Sequence, residues 1–188
     1  MKEIKNVSII GMGALGVMYG SHLAHHMGFD HVTYIMDEKR YEKYKGSTVT
    51  CNGEKLSFTC VPASQAVPAD LVIVAVKSTG LTEALDTMKN CIGPDTVILS
   101  VMNGISSEEI IGERYGAEHM IYAVAQGMDA MKFGAELTYS KMGVLCIGAR
   151  AWKVSRKVLT ASAAFLIEQS FLMYGKRISF TDSGANSC

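Results

Sequence analysis

No run in the 188-residue chain is long and apolar enough to span a membrane. Residues 5–19 are apolar but broken by glycines and opened by Lys2, Glu3 and Lys5. That pattern suits a buried strand and helix start, not a secretory signal. Charge of one sign is also missing: 18 Lys and Arg balance 18 Asp and Glu, with no basic block. Nothing therefore points to nucleic acid or to a membrane surface. No C-x-x-C occurs among Cys51, Cys60, Cys91, Cys146 and Cys188, and their number is odd. Reduced thiols in a cytoplasmic protein are the expectation. The five histidines do not cluster with cysteines at ligand spacing, so no metal site is expected. Internal repeats and low-complexity tracts are lacking as well.

What is present is a hydrophobic content of 48%, enough for a core, in a length that suits one domain or one domain plus a fragment of another. The chain is organised around Gly11-Met12-Gly13-Ala14-Leu15-Gly16. A β-rich run, 6–10, precedes this loop and a helical pattern, Val17 to Met27, follows it. Strand, G-x-G-x-x-G and helix in that order form the dinucleotide-binding context. Gly11 permits the tight turn, Gly13 lets a pyrophosphate approach the backbone, and Gly16 lets the helix pack close to the strand. The helix start then offers N–H groups and partial positive charge to the phosphates.

Further strands are expected at His31–Met36, Leu71–Val76, Thr96–Val101 and His119–Val124, alternating with helices at Glu38–Tyr44, Leu81–Cys91 and Ser106–Tyr115. Alternation of this kind predicts an α/β, Rossmann-like, doubly wound and mostly parallel sheet. Residues 48–61 read as a hairpin about Asn52-Gly53, an insertion and not a chemical site. Residues 135–148 read as a second hairpin, pairing 136–139 with 144–148. Asp37 closes the second strand, where an acid accepts hydrogen bonds from an adenosine ribose and favours NAD. It equally suits the cap of the following helix. Lys39 and Arg40 come next and can hold a 2′-phosphate, which favours NADP. Lys77 and Asn103-Gly104 lie at strand C-termini, where open α/β sheets bind ligands. Ser106 or Ser107 is expected to cap the next helix.

The ordered set of Gly11–Gly16, a strand ending in Lys77, a strand ending in Asn103-Gly104, and the late stretch Gln126 to Gly148 resembles the N-terminal domain of the ketopantoate reductase (2-dehydropantoate 2-reductase) family. The resemblance covers residues 4–150. It implies a dinucleotide-binding domain over 1–150 and reduction of ketopantoate to pantoate by NADPH, on the route to pantothenate and coenzyme A. Lys77 is implied beside the cofactor, Asn103 beside nicotinamide and substrate, and Ala130 at a cofactor-contacting loop. Many family members carry a basic residue where this chain has Asp37, so NAD stays open beside NADP.

The family's proton-donating lysine belongs to a helical C-terminal domain with no counterpart in residues 151–188. These read instead as an aberrant tail, either with a helix over Val158–Met173 and a strand at Arg177–Phe180 or without regular order. The expectation is a chain that binds cofactor without catalysis. Codons for Met173–Cys188, read from the third base of the methionine codon with permitted choices, give V-W-E-K-D-I-L-H-R-L-W-G-K-F-M. This resembles the family's D-I-x-x-x-L-W-x-K segment and suggests a frameshift between Ala151 and Met173. Apolar surface left without a second domain would be exposed, or covered by a partner such as a second copy of the chain. A non-catalytic dinucleotide module and another Gly-loop hydroxyacid dehydrogenase remain alternatives.

Overall fold

The computed structural model describes residues 4–103, 106–148 and 164–166. Seven strands form the main sheet: β1 (Val7–Ile10), β2 (Val32–Met36), β5 (Thr59–Pro62), β6 (Leu71–Val74), β7 (Val97–Ser100), β8 (Met120–Gln126) and β11 (Val144–Gly148). Their order is β11-β8-β7-β6-β1-β2-β5, and every neighbouring pair is parallel except β8 with β11. The chain runs outward from β1 through β2 to β5, then returns to β6 on the other side of β1. This reversal puts a topological switch point between β1 and β6.

The strand residues are mostly β-branched or otherwise apolar, and alternation at period two divides them between two faces. Val7, Ile9, Tyr34, Ile73 and Leu99 belong to one core cluster, which also takes Val17, Met18 and Leu23 of helix α1 (Ala14–Met27). Ile10, Ile35, Val72, Val74 and Ile98 belong to the other. That second core includes Leu81, Ala84 and Met88 of α3 (Leu81–Met88) and Ile111 of α4 (Ser106–Tyr115). The short helix α2 (Glu38–Tyr44) packs at the β2–β5 side.

A second, four-stranded sheet has the order β4-β3-β10-β9, from β3 (Val49–Cys51), β4 (Glu54–Leu56), β9 (Met131–Phe133) and β10 (Glu136–Thr138). It covers the side of α1 opposite the main sheet, through Val49, Cys51, Leu56 and Leu137. A helix enclosed in this way needs apolar residues on more than one side, as α1 has.

The structure corrects several expectations. Residues 135–148 are not one hairpin. Leu137 pairs with Lys132 of β9 and with Cys51 of β3, whereas β11 pairs with β8. Over 48–61 the hairpin ends at Leu56; Asn52 (φ 48°) and Gly53 (φ 85°) make its left-handed turn, and β5 joins the main sheet beside β2. Strands β6 and β7 stop at Val74 and Ser100, short of the expected ends, and the last three residues of the third expected helix form a 3₁₀ turn, Lys89–Cys91. Ser107 is buried in the first turn of α4 and does not cap it. Of the tail, Ala164–Leu166 are helical, with Phe165 and Leu166 buried in the core beside α1. The remainder of the expected helix and the strand at 177–180 lie outside the described residues, as does Gly104.

Candidate functional site

The loop between β1 and α1 is built by contacts that leave no room for side chains at two of its glycines. Gly11 has φ 109°, and a Cβ there would lie 2.6 Å from the carbonyl oxygen of Ala75. At Gly16 a Cβ would lie 2.1 Å from the carbonyl oxygen of Gly11. Gly13 is different. Its φ of −72° and ψ of −172° suit any residue, and the nearest atom to an added Cβ is the Ala75 oxygen at 3.7 Å. Packing among the described residues does not require glycine there. Gly13 is also the N-cap of α1 and offers no capping side chain, and no acidic residue stands in the first turn. N–H groups at such a helix start suit an anion.

A cleft of about 420 Å³ opens beside this loop. That is a small-molecule size. Gly11 and Met12 line it at one end, and Met36, Asp37 and Arg40 at the end of β2. Tyr44, Thr48 and Lys132, none of them expected from sequence, also line it. The 48–61 hairpin, read from sequence as chemically inert, therefore contributes to the cleft wall.

Asp37 acts as the cap of α2: its Oδ1 accepts the Arg40 backbone N–H at 2.9 Å. Its Oδ2 also meets Arg40 Nε at 3.3 Å, while another guanidinium nitrogen of Arg40 meets Glu83 Oε2 at 3.1 Å. Lys39 faces a neighbouring groove of about 600 Å³, shared with Lys43, Glu83 and Asp86. Lys77 and Asn103 are exposed just beyond β6 and β7, adjacent strands whose C-termini open at the same edge. Ala130 packs against the core at the neck of the β9–β10 hairpin and does not line the cleft. Ala14 and Leu15 are half-buried in the first turn of α1.

A buried polar chain links the end of β7 to the start of α4, bracketing Asn103. Ser100 Oγ and Ser107 Oγ are 2.9 Å apart, and Ser107 Oγ donates to Glu108 Oε2 at 2.6 Å. Burial pushes the Glu108 carboxyl up, against hydrogen bonds from Ser107 and from the backbone of Glu108 and Ala123. A carboxyl whose folded pKa is raised keeps its proton in the fold after the unfolded chain has lost it. Its contribution to stability therefore falls as pH rises from the ordinary glutamate value through the raised one. Urea unfolding of the parent and Glu108→Gln between pH ~4 and ~8 is expected to show the parent losing stability relative to the variant as pH rises. Parallel profiles would refute this assignment.

The sequence profile described as "Ketopantoate reductase PanE/ApbA" matches residues 7–151. The chain belongs to this ketopantoate reductase family. Among solved structures, a 2-dehydropantoate 2-reductase from Geobacter metallireducens GS-15 superposes with a TM-score of 0.74 at 21% identity, over 89% of this chain and 56% of that one. A D-mandelate dehydrogenase in complex with NADH gives a TM-score of 0.74 at 21% identity, over 95% of this chain and 56% of its own. At these identities the likeness establishes the shared fold. An uncharacterised oxidoreductase, YkpB, of Bacillus subtilis (strain 168) is 26% identical over 117 residues, 60% of this chain and 38% of the relative. The chain thus spans little more than half the length of its structural neighbours and a smaller share of this curated relative. Lys132, which lines the cleft, is not among the residues expected from sequence. The signal for that residue lay in the alternation Met131-Lys132-Phe133 before Gly134.

Proposed function

We propose that this chain is the dinucleotide-binding part of an NADPH-dependent reductase of a 2-oxoacid, with 2-dehydropantoate as substrate, acting in pantothenate and coenzyme A synthesis in the cytoplasm. The observation that carries this reading is the open approach to Gly13, flanked by glycines that packing does require. Gly11 to Gly16 would hold the pyrophosphate against the start of α1. Asp37, Lys39 and Arg40 would meet the adenosine end, Lys77 and Ala130 would contact the cofactor, and Asn103 would meet nicotinamide and substrate. A bound reduced nicotinamide supplies hydride to a ketone carbon. The chain's residues must then orient the ketone and stabilise the charge that develops on its oxygen. Asn103 can donate a hydrogen bond to that oxygen, and Lys77 can supply positive charge at the same edge.

Fluorescence titration with NADPH and NADH tests the reading, and binding of NADPH is the expected result. If neither nucleotide binds, the proposal falls. Tighter binding of NADH would favour a second reading, for which Asp37 at the end of β2 speaks. The 188-residue polypeptide alone is expected to bind without ordinary turnover, since a proton donor facing the substrate is worth ~10²–10⁴-fold. Ketopantoate reduction at ordinary enzyme rates by this polypeptide would refute that expectation. We further propose that residues 151–188 are translated out of frame. Sequencing the source gene decides it, because an in-frame helical domain must then be encoded downstream in the alternative frame. Met131 and Phe133, exposed on the edge strand β9, offer apolar surface to a second copy of the chain.

A further inference from the structure

The cleft contains an acid where a phosphate would have to come, and its cations are unequal. Arg40 is one positive charge set between two carboxylates, Asp37 and Glu83. Asp37 and Arg40 line the cleft and cancel each other, while Glu83 lines the neighbouring groove, so the pair offers no net positive charge to a further anion. Lys39, like Glu83, lines the neighbouring groove and not the cleft itself. Besides Arg40, Lys132 is the one cationic side chain among the described residues that line the cleft. Its Nζ donates to the carbonyl oxygen of Gly134, and among the described residues no carboxylate lies within ion-pair distance of it.

Lys132 is held in place by its hairpin. Alternation along β9 sends Met131 and Phe133, 59% and 78% exposed, to the side away from Lys132, which is half-buried. The hairpin is pinned to β3, where Thr50 N–H donates to Ala135 O at 2.8 Å and Asn52 N–H to Leu137 O at 2.9 Å. Its neck is clamped by Asp129, which accepts hydrogen bonds from the Ser140 hydroxyl and from the backbone N–H groups of Ser140 and Lys141. These bonds, the Ser140 hydroxyl first, hold the Asp129 carboxyl down at about 2.

We infer that Lys132 is the residue that selects a 2′-phosphorylated dinucleotide over its unphosphorylated form. In an open α/β sheet the end of β2 receives the adenosine ribose. Lys132 shares the cleft with that end of β2 but stands on the second sheet. It supplies there the net positive charge that the Asp37–Arg40 pair lacks. The inference rests on the dinucleotide-binding reading above and adds the basis of its choice between cofactors.

The test uses the full chain and its Lys132→Met and Lys132→Arg variants, with NADPH, NADH, 2′,5′-ADP and 5′-AMP as ligands. Lys132→Met is expected to weaken NADPH and 2′,5′-ADP by about tenfold or more. NADH and 5′-AMP should stay within about twofold, and Lys132→Arg should keep most of the NADPH affinity because the charge is retained. Equal losses for NADPH and NADH would mean that Lys132 serves the pyrophosphate or the fold, and would overturn the inference. Unchanged NADPH binding by Lys132→Met would overturn it too, while leaving the dinucleotide reading intact. A parent chain that binds no dinucleotide would overturn both.

Discussion

Gly13→Val is expected to abolish measurable NADPH binding, a loss of ~100-fold or more for a blocked near-contact site, while the protein stays folded. The contrast within the loop makes this a strong expectation. At Gly13 an added Cβ meets the Ala75 oxygen at 3.7 Å, an ordinary van der Waals distance, and the extended backbone accepts a β-branched residue. The cost to the fold is the poorer N-cap, about 1 kcal/mol. The same side chain would occupy a side of the loop that the described residues leave open. Gly11→Ala and Gly16→Ala are expected to fail for another reason, since their Cβ atoms would strike backbone oxygens at 2.6 and 2.1 Å. Nucleotide titration and thermal unfolding of the three variants separate the roles. Parent-like affinity in Gly13→Val would refute the cradle, and an unfolded Gly13→Val would refute the claim that this glycine serves a ligand.

The alternating βα units were legible because each buried parallel strand is a short continuous apolar run followed by a helical pattern. Leu71–Val74 and Val97–Ser100 are of this kind, and both ends of α2 and α4 coincide with their patterns. The second sheet was not legible. Glu136–Thr138 and Val144–Gly148 both read as strands separated by a short turn, and local pattern assigns such a pair to one hairpin. What separates them is the buried Leu137, which packs on the far side of α1, while Leu145 and Ile147 pack with β8. That choice is tertiary, made by the apolar surface that α1 exposes on its second side. The same fact explains the site. Its glycine loop and strand ends could be read from spacing, but Lys132 reaches the cleft only through the pairing of β10 with β3, which local sequence does not encode. Asp37 was ambiguous because capping and ribose binding ask for the same carboxylate at the same place. The structure shows the cap and places the carboxylate in the cleft wall.

Gly20→Ala is expected to be strongly destabilising, and Tyr34→Phe to relieve part of that cost. Gly20 lies one turn beyond the nucleotide loop, outside the G-x-G-x-x-G motif. A Cβ on it would sit 1.9 Å from the Tyr34 hydroxyl, 2.8 Å from Tyr34 Cζ and 2.9 Å from Ile9 Cδ1. Tyr34 cannot swing away: it is fully buried, its ring lies 4.8 Å from that of Phe58, and its hydroxyl donates to Gly16 O at 2.8 Å. Overpacking of this kind costs ~1–3 kcal/mol or more, and loss of the displaced hydrogen bond adds about 1 kcal/mol. Tyr34→Phe alone loses that same hydrogen bond, again about 1 kcal/mol. The double variant removes the 1.9 Å collision and counts the lost hydrogen bond once. Its destabilisation should therefore be less than the sum of the single effects, by ~1 kcal/mol or more. Relief stays partial because Cζ and Ile9 Cδ1 remain within 3 Å of the new Cβ. Urea unfolding of the four chains measures the coupling, and additive effects would show that α1 shifts away from β2 to make room. A shift of that kind would also carry Gly16 from Tyr34 and open the cradle, so NADPH affinity of Gly20→Ala would fall with it.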